Sequence, residues 1–309
     1  MAEKLKLTHP WMVAVWPGMG NVALNAGIYL LAKLGMTLVA ELEANELFDV
    51  DQVEVKEGII QRGGRPRNRF YVWSDPHKKH DLIVFIGEAQ PPIGKFVFCK
   101  QLIGYCREMG IEHVFTFAAM ATQMHPEHES RVFGAATDED SLDEIKDLDL
   151  EVLQDGHIGG LNGVLLGAAV EGKIPGTCLL GEMPHIFNQL PFPKASLAIL
   201  RLFTSITGID IDFTELEEQS QVMEQRLGEL LSDVEKKFGQ QFSMEDDEPN
   251  FESPGEEKIK PAQEKHIEDL FHKAEKDRSK SFELKQELDR LGLFKEYEDR
   301  FLDLFKKTG

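Results

Sequence analysis

Short apolar runs that alternate with longer amphipathic segments are the feature that most constrains the fold of this sequence. Each run is bounded by Gly, Pro or charged residues, which is typical of buried strands. Several of the intervening segments carry apolar residues at helical spacing and end at a glycine, as helices do. The sequence therefore predicts strands at 12–16, 36–42, 82–86, 113–117, 131–135 and 177–180, and helices at 21–34, 95–109, 141–146, 162–171 and 195–207.

The order of these elements determines the fold class. Strands separated by helices pair in parallel and are covered by helices on both faces. The segments 58–61 and 69–73 flank Gly63-Gly64, and we interpret them as a hairpin that adds an antiparallel edge. The predicted fold is α/β, a three-layer αβα sandwich with a mixed, mostly parallel sheet, plus an α-helical C-terminal extension.

The extension is recognised by its composition, since charged residues are about twice as dense after residue 214 as before it. Thr214 and Glu217 form a capping box that begins a helix. Prolines and acidic residues then predict a linker. We predict an α/β domain at 1–213, an associated amphipathic helix at 214–239, an acidic linker at 240–260 and a helical hairpin at 261–309.

The net charge of -20 restricts the classes of partner. Such a surface repels the phosphates of nucleic acids and anionic lipid, and no run of 18 apolar residues could form a membrane helix. We therefore expect neither nucleic acid nor membrane as a partner. The three cysteines are an odd and sparse set, which favours a reducing compartment, and we expect a cytoplasmic location.

Small and polar residues follow four of the predicted strands, in the loops that begin at residues 17, 87, 118 and 181. If these strands are parallel, their carboxyl ends meet at one edge of the sheet, called here the rim. Open α/β sheets bind ligands at this edge. The candidate ligand-binding residues are Gly18, Gly20, Asn21, Glu88, Gln90, Glu182 and His185.

The loop 17–21 allows two interpretations. Its glycines could let backbone amides approach an anion at the start of the next helix, and Gly18, Gly20 and Ala23 match the dinucleotide motif G-x-G-x-x-A. Against this, Pro17 precedes the first glycine, and a hairpin follows the second strand where nucleotide-binding folds have a helix and a third strand. The loop is either an anion site or a packing turn without a ligand.

The remaining polar candidates are equally open. Glu182 and His185 could act as an acid–base pair, or His185 could anchor its loop by hydrogen bonds. The histidine pairs 77/80 and 125/128 lie in predicted loops, and we interpret them as surface residues, so no metal and no cofactor is expected. No nucleophile-elbow, Walker A or H-E-x-x-H motif occurs, and catalytic residues stay unassigned.

Six short motifs, taken in their order, resemble the PAC2 family, which is named for a proteasome assembly chaperone. They are Pro-Gly-Met-Gly at 17–20, Gly-Glu-Ala-Gln-Pro at 87–91, Leu-Asn-Gly-Val-Leu-Leu at 161–166, Gly-Glu-Met-Pro-His at 181–185, Pro-Lys-Ala at 193–195 and Gly-Ile-Asp-Ile-Asp at 208–212. The resemblance covers residues 10 to 240. It implies a phosphorylase/hydrolase-like fold, self-association as rings or trimers, and members that bind or assemble the proteasome. It implies no catalytic residues.

Two functions follow as hypotheses. The leading one is a non-enzymatic, PAC2-type homo-oligomeric interaction or assembly-chaperone-like protein, whose partners are copies of itself, as in a trimer, and another protein. The alternative is a small-molecule enzyme or sensor that binds an anionic ligand, phosphate or nucleotide, at the rim. Aromatic residues of the extension either recruit a partner or form its own core: Phe271, Phe282, Phe294, Tyr297 and Phe305.

Overall fold

The computed structural model describes residues 6–50, 53–61, 63–241 and 261–306. Its strands are β1 (Trp11–Val15), β2 (Thr37–Glu41), β3 (Glu54–Lys56), β4 (Ile59–Gln61), β5 (Asn68–Trp73), β6 (Leu82–Gly87), β7 (His113–Thr122), β8 (Val132–Ala136), β9 (Glu151–Val152) and β10 (Gly176–Pro184). Its helices are α1 (Val22–Lys33), α2 (Lys95–Met109), α3 (Glu139–Ile145), α4 (Gly160–Gly172), α5 (Pro193–Thr207), α6 (Thr214–Gln241), α7 (Pro261–Lys276), α8 (Ser281–Arg290) and α9 (Phe294–Asp303).

The main sheet has eight strands in the order β2-β5-β6-β1-β7-β10-β8-β9. The four central strands, β6, β1, β7 and β10, are parallel. The strands β5 and β8 run antiparallel to their central neighbours. The predicted mixed, mostly parallel sheet is therefore confirmed, with the antiparallel pairs outside the parallel centre.

The antiparallel hairpin predicted across Gly63-Gly64 is wrong in its pairing. The strand β4 pairs with β3 in a separate two-stranded sheet, and β5 joins the main sheet between β2 and β6. The turn lies instead at Glu57-Gly58, where both residues have positive φ values, 52° and 79°. Two consecutive residues of this kind make the two-residue turn that best matches the twist of a hairpin.

Helices cover both faces of the main sheet, as the alternation of side chains along β1 shows. Val13 and Val15 belong to the core that the sheet forms with α1 and α5, whereas Met12 and Ala14 belong to the core with α2 and α4. All four side chains are fully buried. A central strand that is apolar on both faces is the expected centre of a three-layer sandwich.

The carboxyl-terminal helices pack on the α1 side of the sandwich. The ring of Tyr29 on α1 meets the ring of Phe282 edge to face at 4.6 Å, and its hydroxyl donates to the carbonyl of Asp212 at 2.6 Å. At the sheet edge, the amide of Leu38 donates to the carbonyl of Phe305 at 2.7 Å. The extension thus continues the core of the body across α1.

The aromatic residues of the extension contribute mainly to this core. Phe271, Phe282 and Phe305 are buried, and Phe294 and Tyr297 are half-buried against them. All five are thus buried or half-buried, which favours a role in the core of the extension over recruitment of a partner. Residues 242–260 and 307–309, which include most of the predicted linker and the end of the predicted hairpin, lie outside the described residues.

Among the described residues, no helix is both long enough and apolar enough to cross a membrane.

Gly181 sets the distance between β10 and α5. A Cβ atom at this position would lie 2.6 Å from the carbonyl oxygen of Ala195 and 2.9 Å from its Cβ. We therefore expect Gly181→Ala to force the helix away and to lower the free energy of unfolding by about 1–3 kcal/mol, measured by urea denaturation.

Gly167 is the matched control, because it lies in α4 with open space around it. Gly167→Ala should raise the free energy of unfolding by about 0.5–1 kcal/mol, the usual gain from replacing glycine inside a helix. Equal effects of the two substitutions would contradict the close approach of β10 and α5.

Candidate functional site

The rim exists as predicted, because the parallel strands β1, β6, β7 and β10 end at the same edge of the sheet. The connection between β2 and β5 leaves and rejoins the sheet at this edge too, since β5 runs antiparallel to both β2 and β6. All seven candidate residues lie in the loops or strand ends of this edge.

The backbone of the loop 17–21 forms hydrogen bonds with the segment between β10 and α5. Gly20 is left-handed, with φ of 60°, and its amide donates to the carbonyl of Asn188 at 3.0 Å. Its carbonyl accepts from the amide of Phe192 at 2.9 Å, and the amide of Asn21 donates to the carbonyl of Gly18 at 3.0 Å. These contacts favour the packing-turn interpretation, because two amides that an anion would need are already engaged.

Gln90 joins two other loops of the rim. Its side-chain nitrogen donates to the carbonyl of Pro17 at 3.4 Å, and its side-chain oxygen accepts from the amide of Leu161 at 3.2 Å. Gln90 therefore connects the loop after β1 to the first turn of α4. In this position it fixes backbone on two loops, with one of its two N–H donors and one of its two oxygen lone pairs engaged.

Glu88 lies in a charged cluster between the body and the extension. Its carboxylate pairs with the guanidinium of Arg69, which is fully buried, and accepts from the amide of Arg67 at 2.8 Å. Arg69 also pairs with Asp299 of α9. The side chain of Lys295 donates to the carbonyl of Glu88 at 3.3 Å. Glu88 is thus covered by α9 and is 7% exposed.

Two carboxylates share the charge of Arg69, and their pKa values move apart. Burial raises the pKa of Glu88 from 4.5 to about 7, against the opposing effect of Arg69. Burial acts to raise the pKa of Asp299 as well, but the hydrogen bond from Arg69 and the positive charge of Arg69 outweigh it. The pKa of Asp299 is therefore lowered. The cluster therefore holds a proton on Glu88 across the mildly acidic range.

Glu182 is held as a carboxylate at the ends of β10, β7 and β8. Arg131 donates two hydrogen bonds to it, at 2.7 and 2.6 Å, and the hydroxyl of Thr122 donates a third at 2.7 Å. These bonds lower the pKa of Glu182, with Arg131 as the largest cause. Glu182 is 2% exposed. Its buried carboxylate joins the end of β10 to the end of β7 and to the residue before β8.

His185 is oriented by backbone. Its Nδ1 atom lies 3.0 Å from the carbonyl oxygen of Thr122, and the ring is exposed. Thr122 therefore contacts both Glu182 and His185, through its hydroxyl and its carbonyl respectively. This arrangement corresponds to an anchored loop rather than to an acid–base couple, in which the imidazole would bind the carboxylate directly.

Lys194 is a site residue that the residue chemistry alone did not single out. It is 8% exposed, and its ammonium donates to the carbonyls of Pro126 and His128, both at 3.0 Å, and pairs with Glu224 of α6 at 2.6 Å. The side chain thus ties the loop after β7 and α6 to the start of α5. The only signal was its place in the motif 193–195.

A cavity of about 500 Å³ lies beside Glu182 and is lined by Thr122, His128, Arg131 and their neighbours. Arg131 and Glu182, which both line it, already pair with one another. Within the part of the chain that the structure describes, no three His, Cys, Asp or Glu side chains are grouped to hold a metal ion.

Most of the exposed large apolar side chains of the described residues lie at this edge. Of the thirteen exposed large apolar residues among those described, ten lie on the connections that follow the main-sheet strands, the hairpin of β3 and β4 included, or on the first turn of α2: Met19, Val53, Val55, Ile59, Ile60, Ile93, Phe96, Val97, Ile186 and Leu190. A concentration of this kind is typical of a protein-binding surface. The polar candidates hold the loops, and the apolar residues face outward.

The raised pKa of Glu88 predicts how stability depends on pH. Between 4.5 and about 7 the folded state keeps a proton that the unfolded state releases, so stability falls as pH rises through this window. Relative to Glu88→Gln, which cannot ionise, we expect the unmodified chain to lose on the order of 1–3 kcal/mol between pH 5 and pH 8.

Urea denaturation at both pH values measures this difference. The pKa of His113, which burial lowers to about 4, affects both proteins equally and cancels in the comparison. The control Glu43→Gln, an exposed residue, should follow the unmodified chain. Identical pH profiles for Glu88→Gln and the unmodified chain would contradict the protonated state of Glu88.

Comparison with known proteins identifies relatives that cover most of this chain. The model of the PAC2 family matches residues 12–231. The uncharacterised protein MJ1210 of Methanocaldococcus jannaschii is 31% identical over 240 residues, which cover 76% of this chain and 86% of that protein. The helices α7, α8 and α9 lie beyond the residues matched by the family model.

Two solved structures share the fold over most of their length. One is Pyrococcus furiosus PbaB, described as an archaeal proteasome activator, with 27% identity, a TM-score of 0.62 and coverage of 76% of this chain and 96% of that one. The other is a PAC2 family protein of Streptomyces avermitilis, with 25% identity, a TM-score of 0.63 and coverage of 72% and 95%. Because the family model matches well over half of its residues, this chain belongs to the PAC2 family.

Proposed function

We propose that this protein is a non-enzymatic, assembly-chaperone-like interaction protein that binds proteasome subunits and associates with copies of itself. The observation that carries the proposal is the concentration of ten exposed large apolar side chains at the carboxyl ends of the strands. Small-molecule sites are concave and bury apolar side chains around a few free polar groups. This edge has the opposite arrangement, with engaged polar groups and exposed apolar ones.

The relatives support a proteasomal partner. PbaB of Pyrococcus furiosus is described as a proteasome activator, and its structure is similar to this chain over 96% of its own length. The family to which both belong carries the name of a proteasome assembly chaperone. We extend that partner class to this chain, and we propose a trimer as the self-associated form.

We propose a matching division of the chain into functional parts. The α/β domain, 1–213, would carry the interaction surface, α6 would pack against this domain, and 261–309 would be an added helical unit. The three cysteines are free and buried, which agrees with action in the reducing cytoplasm.

Binding to archaeal proteasome subunits tests the proposed partner. The purified chain would be titrated against separately purified α subunits and against the intact archaeal core particle, with binding measured by interferometry. We expect saturable binding in the micromolar range to one of them, as is usual for transient interfaces. An unrelated protein of similar size and net charge is the control for electrostatic adsorption.

Absence of binding to α subunits and core particle at concentrations of about 100 μM would refute the proteasomal role. Light scattering after size-exclusion chromatography tests self-association separately. A mass three times that of the chain is expected, and a monomer at all concentrations would refute the trimer.

A further inference from the structure

The hairpin of β3 and β4 is a small sheet that the main sheet does not support. Among the described residues its strands pair with each other alone, with Val55 opposite Ile60 and Lys56 opposite Ile59. A lone two-stranded hairpin is marginally stable in water, and both of its outer edges present unpaired backbone groups. Such an element gains stability when a second surface covers it.

One face of the hairpin is apolar and exposed. Val55 and Ile60 share this face as a cross-strand pair, and Val53 lies just before β3 in the chain. Their exposed fractions are 63%, 71% and 55%. Ile59 on the other face is 67% exposed. Residues of this kind normally pack against a core, and here nothing in the described body covers them.

The apolar face of the hairpin cannot pack into the core beside α2, because residues that precede the hairpin in the same connection already fill that core. Leu42, Ala44 and Phe48 are buried in the core formed with α2, and the rings of Phe48 and Phe98 meet edge to face at 6.0 Å. The connection is thus anchored before β3 begins. The hairpin that follows is presented outward from a fixed base.

The charges along the connection that carries the hairpin indicate which surface could cover it. Four exposed carboxylates lie on this connection, those of Glu43, Glu46, Asp49 and Glu57. Lys56 is the one exposed basic residue among the described residues of the connection. A second copy of the chain, with its net charge of -20, would bring the same carboxylates to the contact. Like charges at an interface oppose binding, and opposite charges favour it.

We infer that the hairpin docks, apolar face first, into a groove on a partner protein whose apolar floor is bordered by lysine and arginine residues. The inference rests on the proposed function, since it specifies the chemistry of the protein that this surface binds. The apolar face supplies the buried contact, and Glu43, Glu46, Asp49 and Glu57 pair with the basic border. The partner is therefore a different protein, not a second copy.

Two synthetic peptides serve as probes of this chemistry. Both are amphipathic helices of 18 residues with the same leucine face, and the polar face is all lysine in one and all glutamate in the other. Fluorescence anisotropy measures their binding to the full chain. We expect the lysine peptide to bind and the glutamate peptide to bind at least tenfold more weakly, with the lysine complex weakened about tenfold by 0.5 M salt.

Variants separate hairpin docking from general attraction to an acidic protein. Val55→Ser combined with Ile60→Ser should weaken the lysine peptide at least tenfold, while the control Val222→Ser, an equally exposed valine on α6, should leave it unchanged. Circular dichroism and the melting temperature verify that each variant is folded. The double variant binding like the unmodified chain, or the glutamate peptide binding as well as the lysine peptide, would overturn the inference.

Light scattering on the double variant examines the competing occupant. Loss of self-association in this variant would overturn the inference in favour of a second copy. The outcome for the proposed function stays distinguishable, because the peptides contain no proteasome component. If the peptide test fails while the archaeal core particle still binds, only the inference falls. If peptides bind through the hairpin and neither proteasome preparation binds, only the proteasomal partner falls.

Discussion

The joining of body and extension depends on the ion pairs of Arg69, whose guanidinium is fully buried. An arginine on an inner strand of the sheet needs opposite charge, because an unpaired buried cation is strongly destabilising. Asp299 from α9 supplies a carboxylate, and Glu88 from the end of β6 is a second acidic partner that stays protonated in the mildly acidic range. Much of the charge compensation for Arg69 therefore comes from the extension. The extension is for this reason a structural part of the protein, although it lies outside the residues matched by the family model.

The same cluster reaches the candidate site. Glu88 is in the loop after β6, so the helix that neutralises Arg69 also covers one flank of the rim. On the opposite flank, Lys194 and Glu182 perform a similar task through their hydrogen bonds to the loop after β7 and to Arg131. Buried charges therefore fix the loops from both sides. The loops that carry Met19, Ile186 and Leu190 are therefore held in place, which limits the entropy lost when a partner binds there.

Much of the fold was predictable because it follows from short-range patterns. The apolar runs located the six strands that the sequence analysis named, and the glycines after α2 and α5 marked the helix ends. The hairpin failed because two glycines at 63–64 suggested a turn, whereas Glu57-Gly58 makes it with a non-glycine residue of positive φ. Sequence gives no strong signal for such a residue.

The candidate site was predictable in position but not in role. The rule for parallel sheets correctly brought seven residues to one edge. Their roles depend on partners far along the chain: the amide of Gly20 meets the carbonyl of Asn188, and Arg69 meets Asp299. The motif at 17–21 is the same whether its amides bind phosphate or another loop. No local pattern can distinguish these cases, because the distinction is made by tertiary contacts.

The covalent connection of the extension has a consequence for competition. Nineteen residues separate the end of α6 from the start of α7, so the three helices are delivered to α1 and β5 by their own chain. A tethered ligand of this kind acts at an effective concentration of about millimolar order, whatever the dilution of the protein. A separate helical protein with equal intrinsic affinity for this surface of α1 and β5 would need a similar concentration to displace the three helices. Dilution alone therefore leaves the surface covered, whereas after cleavage of the connection its coverage would depend on concentration.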